Sequence, residues 1–272
     1  MPDIGRSDRV AGRPIVQLDE ASRPAGDGRE PLLDAALGPA LLQQVASAGG
    51  PEFLRLYRPR PTLAFSGRDG ASPGIGAAAT AARTAGFTPV RRGPGGRAAA
   101  YHRGSLCLDH IGPIAAGAHG VDPQQIRPRF AAFGELLAGA LRSVGVDAHV
   151  GPVPGEYCPG EFSINDGRGH KLVGTAQRLV RGGWMFGRVV LVADAEPVRD
   201  VLIEVYRALE LAWDPRTVGA VSDTVPGVTV AEVTAAVLDG YARFGDLRPS
   251  RTPDGAVDLA VCRADRHRVP GG

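Results

Sequence analysis

Apolar residues that recur at helical spacing divide much of the chain into predicted helices. Five segments show this spacing, and most of them end near Gly or Pro, which stop helices. The predicted helices cover residues 32–50, 74–87, 123–146, 196–213 and 229–245. The third is expected to start after Pro128, because proline is disfavoured inside a helix. The fifth is expected to begin with a capping box made by Thr229 and Glu232.

Shorter segments between these helices have the alternating pattern of strands. Leu54 and Leu56, then Leu63 and Phe65, alternate with other residues on either side of a Pro-rich turn, which predicts two short strands. Further extended segments are expected at 88–92, 98–111 and, as a strand meander, 161–194. Because the strands come in runs joined by short turns, we predict an α+β fold. Its sheets should be mainly antiparallel or mixed and flanked by helices, unlike a doubly wound parallel sheet.

The two ends of the chain lack such periodicity. Residues 1–30 are polar and rich in Gly, Pro and Arg, which predicts a flexible N-terminal arm. Residues 248–272 are expected to form a polar, partly disordered C-terminal tail. No run of 18 apolar residues occurs, and the N-terminus has no apolar signal segment, so we expect no membrane partner.

Charge and cysteine content narrow the function classes. The 31 basic and 29 acidic residues leave a net charge of +2, which argues against a nucleic-acid binder. Cys107, Cys158 and Cys262 are too widely spaced to predict a disulfide framework or a zinc site. The six histidines show no metal-ligand spacing, so we expect no metal site. These features favour a reduced, cytoplasmic protein.

Lys171 is the only lysine in the chain, and all other residues in the Lys plus Arg count of 31 are arginines. Lysine offers a compact ammonium that can enter a narrow pocket and change its pKa, which a guanidinium does not. It lies in GHKLVGTAQR (169–178), on a predicted strand whose Gly174 would let a ligand approach the backbone. The alternative is a β-bulge with one exposed lysine.

A glycine-rich turn is the second candidate, in RRGPGGRAAAYH (91–102). Three glycines around a proline expose backbone N–H groups beside three arginines, and such a turn can hold an anion or a carbonyl oxygen. It lacks the spacing of a Walker loop. The alternative is an ordinary hairpin turn with solvated arginines.

The third candidate is Cys158 in GEYCPGEF (155–162), a loop bounded by Pro and Gly. Cys107 instead lies in SLCLDHI, where the alternation predicts a buried strand. A loop cysteine close to cations can be a thiolate nucleophile. Lys171 and the arginine turn would supply those cations if the fold brings the three segments together. Otherwise Cys158 is an inert thiol.

Three segments of the chain resemble the lipoate–protein ligase and octanoyltransferase family, whose catalytic domain shares its fold with biotin–protein ligases. RRGPGGRAAAYH resembles the family signature R-R-x-[ST]-G-G-[GR]-A-V-x-H, and HKLVGTAQR resembles K-x-x-G-[ST]-A-Q. FLRLYRPRPTLAFSG resembles the opening strand pair. The resemblance covers about residues 32–245, so we assign 31–247 to this catalytic domain.

The resemblance implies roles for individual residues. Cys158 and Lys171 would be catalytic, with Lys171 contacting the acyl carbonyl or acyl phosphate. Backbone amides near Gly95–Gly96 or Gly174–Ala176 would stabilise an oxyanion. The strands around Leu63–Phe65, Val90 and Leu172 would form the acyl tunnel. The implied substrate-binding residues are Arg91, Arg92, Gly95, Gly96, Arg97, His102, Gly174, Thr175, Ala176 and Gln177.

Two mechanisms occur in the family. A transferase needs no cofactor and carries the octanoyl or lipoyl group on a cysteine, here Cys158. A ligase uses ATP and Mg to form lipoyl-adenylate. The GGR turn, the placement of Cys158 before Ser163 and Lys171, and the chain length favour the transferase. Acyl carrier protein would be the donor. The acceptor would be the lipoyl domain of a 2-oxoacid dehydrogenase or the glycine cleavage H protein.

Three positions depart from the family pattern. Pro94 replaces Ser or Thr, Arg103 replaces the usual Asp after the His, and Phe186 replaces a His. These departures leave the acyl chain, the acceptor and the activity open. A non-catalytic member that binds an acyl group or acyl carrier protein is therefore the third alternative.

Overall fold

Two β-sheets with helices packed against them make up the computed structural model, which describes residues 14–20, 30–114 and 126–270. The strands are β1 (Pro14–Asp19), β2 (Glu52–Tyr57), β3 (Thr62–Phe65), β4 (Thr88–Arg91), β5 (Ala99–Tyr101), β6 (Ser105–Pro113), β7 (His149–Val150), β8 (Ile164–Asn165), β9 (Lys171–Val180), β10 (Gly183–Leu191) and β11 (Asp246–Pro249). The helices are α1 (Pro31–Ala48), α2 (Gly67–Gly70), α3 (Ile75–Thr84), α4 (Ile126–Ser143), α5 (Ala195–Ala208), α6 (Val221–Thr224), α7 (Val230–Ala242) and α8 (Asp254–Arg263).

The large sheet has eight strands in the order β11-β1-β2-β6-β10-β9-β8-β7. Its pairs are antiparallel except that β1 runs parallel to both β2 and β11. The small sheet has the order β4-β3-β5, with one parallel and one antiparallel pair. These mixed sheets with flanking helices confirm the predicted α+β class. The strands on either side of the Pro-rich turn, β2 and β3, are both present but belong to different sheets.

The helices cover the sheets in three groups. On one face of the large sheet, α4 and α7 enclose an apolar core with β6 and β10. On the opposite face, α1 packs against β6 and β10, with α8 behind it. The pair α3 and α5 covers the small sheet. The candidate chemistry lies between the α1 face of the large sheet and the small sheet.

The predicted N-terminal arm is wrong for residues 14–19, which form β1 between β2 and β11. Ile15 and Leu18 are buried there. The strand is short and its neighbours along the chain are polar, so composition alone predicts a flexible arm in this region. Residues 1–13 and 21–29 of the predicted arm lie outside the described residues.

The predicted C-terminal tail is also wrong over much of its length, because it contains β11 and α8. Ala256 and Ala260, four residues apart on α8, are buried against α1. Two alanines at helical spacing give a weak hydrophobic signal, although they allow close helix packing.

The predicted helices are confirmed with small changes at their ends. The expected start of the third helix after Pro128 is wrong, because α4 already includes Ile126. Residues 123–125 lie outside the described residues. The predicted capping box of α7 is present. The Thr229 hydroxyl accepts from the Glu232 amide at 3.2 Å, and the Glu232 carboxylate accepts from the Thr229 amide at 2.8 Å.

Replacing Thr229 by Ala should lower the free energy of unfolding by about 1 kcal/mol, because one N-terminal amide of α7 loses its acceptor. Thr229→Ser keeps the hydroxyl and serves as the control. Denaturant unfolding of both variants checks the expectation, and equal losses in Ala and Ser would contradict it.

Candidate active site

Cys158 lies in the loop between β7 and β8, in a left-handed backbone conformation with φ of 42°. Such a conformation is costly for a residue other than glycine and needs support from its surroundings. Tyr206 on α5 gives that support, because its hydroxyl accepts from the Cys158 amide at 2.7 Å and donates to the Ala98 carbonyl at 2.9 Å. One phenol thus joins the cysteine loop to the segment that follows the glycine-rich turn.

Lys171 begins β9 and its side chain is only 1% exposed. Its ammonium donates to the Tyr157 carbonyl at 3.0 Å and to the Cys158 carbonyl at 2.9 Å. It also forms an ion pair with the Glu156 carboxylate at 3.2 Å. An ammonium has three protons, and the two carbonyls accept two of them. Lys171 therefore holds the cysteine loop and places a positive charge under it.

Glu156 is a part of the site that the sequence did not reveal. Its carboxylate is buried, and its second oxygen accepts from the Gly160 amide at 2.8 Å and the Ser163 hydroxyl at 2.9 Å. A buried lysine is costly without an opposite charge. The need of a buried lysine for an opposite charge could have pointed to Glu156 in the sequence, because Glu156 lies only two residues before Cys158.

The glycine-rich turn covers the thiol from the other side. The Arg97 amide donates to Cys158 Sγ at 3.2 Å, and the Arg92 guanidinium donates to it at 3.4 Å and to the Arg97 carbonyl at 2.7 Å. Gly96 has φ of 101°, and a Cβ there would lie 2.8 Å from the sulfur. Only glycine allows this close approach of the turn to the thiol.

These neighbours change the ionisation of the thiol. Burial alone would raise the pKa of Cys158, but the charges of Arg92 and Lys171 and the Arg97 amide outweigh it, so the pKa lies below its ordinary value. Burial also lowers the pKa of Lys171, and Glu156 and Cys158 act against that effect. The site thus favours the thiolate form of Cys158 more than water does, which suits nucleophilic attack on an acyl carbon.

A pocket of about 870 Å³, its open mouth included, begins at these groups. Cys158, Lys171 and Arg92 line it together with small residues of β9 and β10. The remaining wall comes from α1, from the segment after the glycine-rich turn and from the aromatic rings of Tyr57 and Tyr101. The thiol therefore opens onto a narrow pocket with a partly apolar lining.

Residues 30–242 match the family model described as the lipoyl protein ligase A/B catalytic domain. The chain belongs to this family. An octanoyl-[GcvH]:protein N-octanoyltransferase of Geobacillus kaustophilus (strain HTA426) is 29% identical over 73% of this chain and 69% of its own length. The enzyme of the same name from Anoxybacillus flavithermus (strain DSM 21510 / WK1) is 27% identical over 79% and 80% of the two chains.

Solved structures of the family share the fold. A lipoate-protein ligase A bound with ATP has a TM-score of 0.72 at 19% identity and covers 94% of this chain and 95% of its own. The lipoate protein ligase homologue Ta0514 of T. acidophilum with bound lipoic acid has a TM-score of 0.70 at 20% identity, over the same shares. These similarities confirm the architecture inferred from the family resemblance.

The structure brings together most of the residues that the family resemblance singled out. Arg92, Gly174, Thr175 and Ala176 line the pocket. Gly96 and Arg97 lie against the Cys158 sulfur. The amide that faces the thiol belongs to Arg97, next to the predicted Gly95–Gly96 pair.

Four other predicted substrate-binding residues are placed elsewhere. Arg91 lines a separate pocket near the C-terminus, with Phe65 and Val269, and Gly95 is exposed on the turn. His102 is buried, with one ring nitrogen accepting from the Gly104 amide and the other therefore donating to the Asp194 carbonyl, so it braces the β5–β6 turn. Gln177 does not line the pocket that contains Cys158.

The predicted acyl tunnel is wrong. Leu63, Phe65 and Leu172 are fully buried in the two apolar cores, and Val90 is equally buried; none of them lines the pocket at Cys158. Large apolar side chains fill the space around them, whereas a channel needs positions with small ones. Small residues of β9 and β10 line the pocket at Cys158 instead.

The three departures from the family pattern occupy different environments. Pro94 lines the pocket. Arg103 is exposed on the β5–β6 turn, where its carbonyl accepts from Arg58. Phe186 is buried on the other face of the large sheet, against Phe133. Only Pro94 therefore touches the candidate site.

The described part of the chain contains neither a cluster of metal ligands nor a membrane-spanning helix. Within it, no three His, Cys, Asp or Glu side chains are placed together to hold a metal ion. No helix there is long and apolar enough to cross a membrane.

Replacing Arg92 by Gln should raise the pKa of Cys158, because the thiolate loses a charge and a hydrogen-bond donor. The rate of alkylation of Cys158 by iodoacetamide, followed by peptide mass against pH, should then rise at higher pH than in the unmodified chain. Arg91→Gln is the matched control, because Arg91 lies in the other pocket. A profile that is the same in both variants would contradict the assignment.

Replacing Glu156 by Gln should further lower the pKa of Lys171, because Glu156 opposes the effect of burial. If acyl transfer needs the ammonium, the alkaline limb of the pH–rate profile moves to lower pH. Glu161→Gln removes an exposed carboxylate from the same loop and is the control. An alkaline limb that stays in place in Glu156→Gln would show that the charge of Lys171 does not limit the reaction.

Proposed function

We propose that this chain is an acyltransferase that moves an octanoyl group between lipoyl proteins through a thioester on Cys158. The observation that carries the proposal is the cysteine thiol itself, held at the pocket by Arg92 and the Arg97 amide, with a lowered pKa. The relatives named octanoyl-[GcvH]:protein N-octanoyltransferase support octanoyl as the acyl group and the glycine cleavage H protein as its donor.

In the first half of the reaction, the Cys158 thiolate attacks the carbonyl carbon of an octanoyl-lysine on the donor, the glycine cleavage H protein. The C–N bond breaks, the leaving amine takes up a proton from solvent, and the octanoyl group remains on sulfur as a thioester. The Arg97 amide and the Arg92 guanidinium, which contact the sulfur, stabilise the negative charge that develops next to it.

In the second half, the neutral amine of a lysine on the acceptor, the lipoyl domain of a 2-oxoacid dehydrogenase, attacks the thioester. Cys158 leaves as a thiolate, which the charge of Lys171 favours, and the acceptor nitrogen loses a proton to solvent. One octanoyl-lysine amide is exchanged for another, so the reaction needs no ATP and no other cofactor.

The test starts from octanoylated H protein and no ATP, with the intact mass of the enzyme as the readout. We expect an octanoyl adduct on Cys158, followed by transfer to an added lipoyl domain. Cys158→Ala should abolish both, because no other group replaces the thiolate; Cys262→Ala, at an exposed cysteine, is the control and should retain both.

Octanoyl-acyl carrier protein serves as a second donor in the same assay, since its thioester can be attacked by the same sulfur. Full transfer by Cys158→Ala would contradict the thioester mechanism. Transfer that appears only with lipoate, ATP and Mg would assign the chain to the ligases, and tight donor binding without turnover would identify a non-catalytic member.

A further inference from the structure

One face of the large sheet forms a floor that leads away from the thiol. The strand register aligns Gly174 of β9, Val189 of β10, Cys107 of β6 and Tyr57 of β2 in one row. The next row contains Ala176, Gly187, Asp109 and Arg55 in the same strands. A substrate that lies across these rows passes over β9 and β10 before it reaches β6.

The first part of this floor has little side-chain volume. Gly174, Ala176 and Gly187 all line the pocket, and the Lys171 Cε lies 3.7 Å from where a Cβ on Gly174 would be. The lysine end of the pocket is thus next to β9. The glycines leave space above the two strands, bordered by Pro94, whose Cγ lies 4.0 Å from where a Cβ on Gly187 would be. An alkyl chain can enter this space, hereafter the channel.

At β6 the character of the channel changes from apolar to charged. Asp109 lines the pocket, and its Oδ1 lies 3.4 Å from where a Cβ on Gly187 would be, at the edge of the channel floor. Its Oδ2 faces the Arg55 guanidinium at 3.5 Å. Arg55 is fully buried and is also bound by Glu20 and Asp34. The channel therefore meets a carboxyl group that is anchored in a buried ionic cluster.

The strand spacing sets how far β6, which carries Asp109, lies from β9. Neighbouring strands lie about 4.8 Å apart, so β6 is about 10 Å across the sheet from β9. An extended eight-carbon chain has a comparable length. We propose that Asp109 closes the acyl channel and limits the accepted chain to about eight carbons, an inference that rests on the proposed octanoyl transfer.

The limit has a physical cause. A longer chain would press methylene groups onto the Asp109 carboxyl and remove water from it, and an alkyl chain offers no hydrogen bond in return. The carboxyl cannot move away freely, because Arg55 holds one of its oxygens. Tyr57 and Tyr101, which also line the pocket, occupy further space at its wall.

Two substitutions should shift the length limit in opposite directions. Asp109→Ala removes the carboxyl and opens the channel, while Arg55 keeps Glu20 and Asp34 as partners, so the fold retains its buried pair. Gly187→Val puts a branched side chain, a type that strands favour, into the channel at β10, which lies one strand before Asp109 on β6. Glu20→Gln is the matched control, because Glu20 binds Arg55 but does not line the pocket.

The experiment measures the affinities of hexanoate, octanoate, decanoate and dodecanoate for the full chain and its variants by isothermal titration calorimetry. The unmodified chain and Glu20→Gln should bind octanoate best. In Asp109→Ala the ratio of decanoate to octanoate affinity should rise about tenfold, since removing the buried carboxyl removes its desolvation cost. Gly187→Val should favour hexanoate.

An unchanged length preference in Asp109→Ala, or dodecanoate binding as tightly as octanoate in the unmodified chain, would overturn the proposal. Thermal unfolding of each variant shows whether it is folded, and Asp109→Asn, which keeps the shape but removes the charge, should retain the octanoate limit. The binding readout does not depend on transfer. An octanoate optimum in a chain that forms no adduct on Cys158 would therefore contradict the proposed function and leave the length limit standing.

Discussion

The burial of Lys171 is the constraint on which the candidate site depends. An ammonium at 1% exposure requires acceptors and an opposite charge, and the chain supplies two carbonyls of the cysteine loop and the Glu156 carboxylate. Those same contacts determine the path of the loop from 156 to 158. Lys171 therefore fixes the conformation of the loop that carries the thiol, and its charge lowers the pKa of that thiol.

The site is assembled from parts of the fold that are distant in sequence. Tyr206 reaches from α5 to the Cys158 amide and the Ala98 carbonyl, and so joins the cysteine loop to the small sheet. Asp69, fully buried in the capping box of α2, pairs with Arg97, whose amide faces the sulfur. The thiol thus has neighbours from the large sheet, the small sheet and α5, and each limits its movement.

The sequence was informative where one residue type alone satisfies a local need. Gly96 is required by a positive φ and by contact with the sulfur, and it lies in a recognisable glycine-rich turn. Lys171 is required by a buried position, and it is the only lysine in an arginine-rich chain. Glu156 and Tyr206 could not be recognised in this way. Their roles depend on which distant groups they meet, and that information exists only in the tertiary structure.

The mistaken predictions have a related origin. The tunnel that the family resemblance implies around Leu63 and Leu172 is filled by large apolar side chains, whereas Gly174 and Gly187 leave space at the pocket. The strand β1 and the helix α8 were missed because few or small apolar residues bury them. Periodicity thus located the long helices and strands. The strand β1 and the helix α8 could be recognised only from their packing in the structure.

The most direct test of the central claim is the time course of the acyl-enzyme in a single turnover. Enzyme in excess over octanoylated H protein is mixed with a lipoyl domain without ATP, quenched at short times and weighed as intact protein. If Cys158 carries the octanoyl group, its thioester forms before the octanoylated lipoyl domain and decays as that product accumulates. Product that forms faster than the thioester, or without it, would contradict the account.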